Sequence, residues 1–146
     1  ATNCMNMPVE AFERDAPIRI TKTALRRDSG GAGRQRGGLG IEREYEVLEG
    51  EIVFTHRGER HFCAPSGAFG GGDGMMARTV ITRADGSEEI VQSKLVTRLF
   101  PGDRVLTLTA GGGGFGPPVD RDRDQVRADV ANGKVSDQQA RDVYRL

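Results

Sequence analysis

The spacing of apolar positions changes period along the chain, and the changes mark its elements. From Pro8 onward, VEAFERD sets Val9 and Phe12 three apart, with Glu10 in the first turn. This predicts a short helix that Pro17 ends. Residues 18–27, IRITKTALRR, alternate at Ile18 and Ile20 before Leu25 and read as a strand. IEREYEVLEG (41–50) and EIVFTHRG (51–58) read as two more, with Glu49-Gly50 as a hairpin corner between them. Residues 77–100 hold a hairpin turning at Asp85-Gly86, and Pro101-Gly102-Asp103 is a tight turn into RVLTLT (104–109). The period then lengthens. Val126 and Val130 stand four apart, with Asp120 as the expected cap and Asn132-Gly133 as the stop. Ser136 and Gln139 form an S-x-x-Q capping box for a last helix carrying Ala140 and Val143. The expected fold class is β-rich α+β: antiparallel strands with Gly-rich loops, a short N-terminal helix and two C-terminal helices. One domain of 146 residues is expected, with a lead-in helix over 1–16, a β-rich body over 17–110, a Gly/Pro loop over 111–118 and a helical tail over 119–146.

Between the periodic stretches lie three glycine islands: DSGGAGRQRGGLG (28–40), GAFGGGDG (67–74) and GGGGFG (111–116). Together they hold 16 of the 21 glycines. Flexible linkers are rich in Gly and Ser and poor in other features. These islands instead mix glycine with Arg, Asp and Phe beside strand-like sequence, which marks tight turns or close backbone approach.

Charge narrows the function classes. Lys and Arg number 21 and Asp and Glu 21, so the formal net charge is zero and there is no bulk attraction for nucleic acid or an anionic membrane. No apolar run approaches the ~20 residues of a membrane helix, and no n-region and h-region of a signal peptide stand at the start. Cys4 and Cys63 stand alone, without a CxxC pair or a disulfide framework, which points to a reducing compartment and a cytoplasmic location.

Several residues carry candidate chemistry, each with a plainer alternative. Gly111, Gly113 and Gly116 fit G-x-G-x-x-G. A dinucleotide site needs a helix opening at the motif, whereas Pro117-Pro118 delays any helix; a tight crossing loop pressed against another backbone is favoured. Arg34 and Arg36 sit among six glycines, where exposed N–H groups and two guanidiniums suit a carboxylate or phosphate. The alternative is ion pairing with Glu42, Glu44 or a neighbouring chain. His56 and His61 are spaced H-x4-H, with Cys63 nearby, but a zinc site ordinarily needs three or four ligands, so no metal is assigned to the chain. Cys63 as a nucleophile needs a base and an orienting group; otherwise it is a buried thiol. Asp73 is a turn residue first and a ligand second.

Taken in order, NMPVEAFE, LRRDSGGAGRQRGGLGIEREYE, GAFGGGDG, SKLVTRLFPGDRVLTLTAGGGGFGPPVDRD and VSDQQARDVY resemble the C-terminal part of the hydantoinase B/5-oxoprolinase family. The resemblance runs over nearly the whole chain. It implies a non-autonomous domain or split subunit of an assembly that hydrolyses a cyclic amide of the hydantoin or 5-oxoproline type, or carboxylates a ketone, at the expense of ATP. The implied partners are the remaining N-terminal portion of a hydantoinase-B-like subunit and a hydantoinase-A-like ATP-binding subunit, in a hetero-oligomer. ATP with Mg, and in the carboxylase relatives a divalent metal, would belong to those partners and no cofactor to this chain. No catalytic residue is assigned. The substrate-pocket candidates are Arg34, Arg36, Asp73, Gly71 and Gly113. The alternative is a purely structural subunit that touches no substrate. One departure bears on the pocket: many relatives carry a Pro-Pro-Trp-Gly-type stretch where residues 62–69 here read FCAPSGAF.

Overall fold

The structure, a computed structural model, describes residues 6–146; Cys4 lies outside them. Helix α1 (Val9–Asp15) follows Pro8, and Pro17 keeps it from continuing. Strands β1 (Ile18–Leu25), β2 (Ile41–Val47), β3 (Ile52–Arg57), β4 (Arg78–Thr82), β5 (Glu88–Val91), β6 (Lys94–Leu99) and β7 (Arg104–Leu108) come next. After a single 3-10 turn (Pro118–Asp120), helices α2 (Arg123–Ala131) and α3 (Asp137–Asp142) complete the chain. The expected β-rich class with one helix before and two behind is what the chain forms.

Five strands make one antiparallel sheet in the order β1-β2-β7-β4-β5, and β3 and β6 make a separate antiparallel ribbon. The expected β2–β3 hairpin does not exist. Gly50 turns the chain at φ 71°, but β2 pairs with β1 and β7 while β3 pairs with β6. The apolar pattern explains why. Ile52, Phe54, Leu95 and Leu99 alternate on the inner side of the ribbon and cover Val47, Ile81, Val91 and Val105, so the ribbon is a second layer over the sheet.

The β4–β5 hairpin turns at Asp85-Gly86, with Gly86 at φ 86°. Pro101-Gly102-Asp103 turns with Gly102 at φ 87°, as its sequence implies. Asp103 is only 3% exposed and holds the corner: its carboxylate accepts from the N–H groups of Phe100 and Ala84 and from Arg83, each at 3.0 Å. Burial disfavours its ionisation, but those donors outweigh burial and keep its pKa below the usual carboxylate range.

The tail differs from expectation by two residues. Asp122, not Asp120, caps α2, accepting from Gln125 N–H at 3.0 Å, because Pro118 first closes its own turn through Asp120. Ser136 caps α3 as expected, accepting from Gln139 N–H at 3.1 Å. The two helices and the segments on either side of α3 bury Val126, Val135, Ala140 and Tyr144 against Ala32, in the middle of the first glycine island. A second small core thus clamps that island from behind. No helix among the described residues is long and apolar enough to cross a membrane.

Candidate functional site

The three glycine islands converge into one bundle of extended backbones. Gly31 N–H donates to Gly112 O at 2.8 Å, and Gly112 N–H to Gly38 O at 2.8 Å. Gly114 N–H donates to Gly72 O at 2.9 Å, and Gly72 N–H to Ala32 O at 2.7 Å. Ala68 N–H reaches Gly114 O at 2.9 Å, and Gln35 and Phe115 exchange a pair of bonds at 2.9 Å. Each island therefore bonds to both of the others. Glycine is required by proximity: a Cβ on Gly31 would stand 2.5 Å from Gly114 N and closer still to Gly72 O. One on Gly71 would stand 2.7 Å from Phe115 N, and one on Gly113 2.6 Å from the Ser66 carbonyl carbon. Neither Gly31 nor Gly113 has a positive φ, so space rather than handedness excludes side chains there. Gly71 and Gly113, the expected pocket glycines, are members of this packing.

The G-x-G-x-x-G stretch is the middle strand of the bundle. It leads through Gly116, at φ 72°, and Pro117 into the short 3-10 turn and opens no helix. The crossing-loop reading is the one the structure shows, and a dinucleotide has no helix terminus to sit on.

The bundle separates the two candidate arginines. Arg34 is exposed, with its guanidinium carbon 5.9 Å from the Phe115 ring centroid. Phe115 in turn packs on Phe69 with centroids 5.0 Å apart. Phe69 is 81% exposed and has a φ of 51°. A bulky residue in that region is strained, and such strain clusters where chains meet ligands or partners. Arg34, Phe69 and Phe115 thus form an aromatic and cationic rim.

Arg36 points the other way. Its Nε donates to Asp129 Oδ2 at 3.0 Å and its Nη1 to Gly37 O at 2.8 Å. Arg121 Nη2 donates to the same Asp129 oxygen at 2.9 Å. The Asp129 side chain is 9% exposed; burial opposes its charge, but Arg36 and Arg121 outweigh it and lower its pKa. Arg36 is therefore an ion-pairing residue that ties the first island to α2. Its partner is not the expected Glu42 or Glu44, because the segment turns this side chain toward the tail helices. The expected cluster of Arg34 with Arg36 is not formed. Asp73 is exposed but occupied at home: its Oδ1 accepts from Gly67 N–H at 2.8 Å and closes the second island, so the turn role is the one seen.

Beside the bundle, β3 and the following loop bring His56 and His61 together, with Nε2 atoms 3.3 Å apart and ring centroids 5.2 Å apart. Thr79 Oγ1 lies 3.5 Å from His56 Nε2. Burial first, then the neighbouring His61, lowers the His56 pKa. A groove of about 380 Å³ runs over both rings and past Thr79, Thr107 and Thr109. Gly58, in the polar stretch HRGER (56–60), lies under the pair: a Cβ there would meet His61 Cε1 at 2.5 Å and His56 Nε2 at 2.8 Å. Cys63 is exposed rather than buried, and its sulfur is 3.8 Å from Arg60 Nη1. No group of three or more His, Cys, Asp or Glu side chains is gathered for a metal among the described residues.

Sequence reasoning missed Asp129, Arg121 and the Phe69–Phe115 pair. The signal for Asp129 was present: it lies three residues after Val126, beside Val130, on the apolar stripe of α2. A carboxylate there must find a cation.

Comparison with known proteins bears on this geometry directly. Residues 1–118 match the family model described as hydantoinase B/oxoprolinase. The chain is 37% identical to the caprolactamase subunit beta of Pseudomonas jessenii, over 96% of this chain and 25% of the relative. A crystal structure of the ATP-dependent caprolactamase from Pseudomonas jessenii superposes with a TM-score of 0.81 at 33% identity, covering 96% of this chain and 25% of that one. A nucleotide-free acetone carboxylase shares the fold, with a TM-score of 0.68 at 21% identity over 94% of this chain and 22% of that one. The chain spans about a quarter of the length of these relatives.

Proposed function

The chain belongs to the hydantoinase B/oxoprolinase family, and from that membership we propose that it acts as a non-autonomous part of an ATP-dependent assembly that opens a cyclic amide. The observation that carries this reading is the glycine bundle. It is a cross-bonded backbone scaffold, and it presents Arg34, Phe69 and Phe115 outward, one from each island, with Phe69 held at a strained positive φ. Such a scaffold favours fixed loop positions, and positioning a reacting amide demands them, since a misplacement of ~1 Å can cost ~100-fold in rate. Relatives named for a caprolactamase, whose substrate class is a cyclic amide, favour hydrolysis. The acetone carboxylase likeness supports the fold alone, so ketone carboxylation is the second outcome to assay.

In this reading ATP and Mg are handled by a hydantoinase-A-like companion, since the chain carries no G-x-x-x-x-G-K-[ST]. The rest of a hydantoinase-B-like subunit supplies the reacting groups. Arg34, held over Phe115, offers two-pronged hydrogen bonding to an anionic intermediate at the rim. Arg36, Gly71, Gly113 and Asp73 hold the scaffold's shape. The test is reconstitution with the companion chains and measurement of ATP-dependent ring opening of a lactam, a hydantoin and 5-oxoproline, with bicarbonate-dependent use of a ketone as the contrasting assay. Ring opening that requires ATP and this chain is expected. Ketone carboxylation without ring opening would overturn the hydrolytic reading.

A further inference from the structure

We propose that His56 and His61 are two ligands of a divalent transition-metal site that opens into the groove beside the glycine bundle. The distance between the two Nε2 atoms, 3.3 Å, is the primary observation. Two nitrogens each ~2.0–2.1 Å from a tetrahedral metal stand ~3.3–3.4 Å apart. The rings meet nearly edge to face, at 79°, so they converge from different directions rather than stacking.

Three features of the surroundings fit. His56 is fixed on β3 between the Phe54 ring, 5.9 Å away and stacked, and the fully buried Thr79. His61 reaches it across the turn only because Gly58 has no Cβ. The groove of about 380 Å³ over both rings leaves room for water at the remaining coordination positions. Imidazole donors select zinc, copper, nickel or cobalt over magnesium or calcium.

The experiment is a cobalt titration of the assembled, chelator-stripped protein, read as the visible absorption difference between the wild type and the His56→Gln, His61→Gln double variant. That difference isolates this site from any metal held by companion chains. One equivalent of Co²⁺, displaced by Zn²⁺, is expected for the wild type only, and each single variant should bind at least ~10-fold more weakly, the minimum cost of disturbing even an outer ligand partner. Identical cobalt uptake by the wild type and a folded double variant overturns the proposal. A second measurement needs no variant: Zn²⁺ should slow diethylpyrocarbonate modification of His56 and His61 in the wild type. Unchanged modification rates at saturating zinc overturn the proposal as well.

Discussion

Replacing Gly31 by Ala while replacing Gly38 by Ala as its control isolates the packing of the bundle from every other property of glycine. Neither position has a positive φ, so the substitutions differ only in the space a methyl group finds. At Gly38 nothing lies within 4 Å of a new Cβ. At Gly31 the Cβ would stand 2.5 Å from Gly114 N, closer to Gly72 O, and 3.0 Å from the Asp73 carbonyl carbon. All three neighbours are backbone, so no side chain can swing aside. Ordinary contact begins at ~3.5 Å, so the first island must retreat from the other two by roughly 1 Å. That movement stretches Gly31 N–H to Gly112 O, now 2.8 Å, and Gly72 N–H to Ala32 O, now 2.7 Å. Two weakened hydrogen bonds at ~1 kcal/mol each, added to overpacking of ~1–3 kcal/mol, give a loss of about 3–5 kcal/mol. In a domain of this size that is roughly 6–20 °C in Tm. Gly38→Ala should change stability by less than ~1 kcal/mol and raises it if it mainly stiffens the unfolded chain. Urea unfolding followed by circular dichroism measures both. Equal stabilities for the two variants would refute the close-packed bundle and return the islands to slack connectors.

Four further outcomes follow from the same contacts. Asp129→Asn leaves Arg36 and Arg121 without their shared anion and should cost about 3–5 kcal/mol in unfolding free energy, whereas Arg36→Lys, which keeps the charge but not the fork, should cost less. Arg34→Lys should leave Tm unchanged and lower turnover of the reconstituted assembly roughly 10-fold, the effect of losing a charge-assisted contact of ~1.5 kcal/mol; a parallel fall in Tm would make Arg34 structural. Asp103, whose pKa is lowered on folding, contributes stability that is complete above the ordinary carboxylate value of ~3.9 and is lost as pH falls through its lower folded value, so Asp103→Asn should flatten the acid limb of the stability profile below about pH 4. Gly58→Val should push the two imidazoles apart and abolish cobalt binding at His56 and His61 with a smaller loss of stability than Gly31→Ala, since its neighbours are side-chain atoms.

What could be read from the sequence depended on how local the cause was. Asp85-Gly86, the Ser136 cap and the Pro17 stop are settled within four residues, and all three stand where their chemistry puts them. The supposed β2–β3 hairpin failed because Gly50 fixes a turn but not the partner of the strand it releases, and Ile52 and Phe54 found a better partner in the sheet's apolar face. The glycine islands were recognised as close-approach segments, yet nothing in one island names the others, and a backbone bundle leaves no side-chain pattern to read. The same blindness explains Arg34 and Arg36. Two residues apart on an extended segment they share a face in a simple strand, but the Gln35–Phe115 pairing and the pull of Asp129 send them to different surroundings.

Reconstitution with and without this chain decides whether it is a working part of an ATP-dependent, ring-opening assembly. Phosphate release and ring opening of a cyclic amide are measured together on the companion chains alone, on this chain alone and on the mixture. This chain alone should release no phosphate, and ATP-dependent ring opening should emerge only in the mixture. Ring opening at the full rate by the companion chains alone, or stoichiometric ATP turnover by this chain alone, would contradict that role.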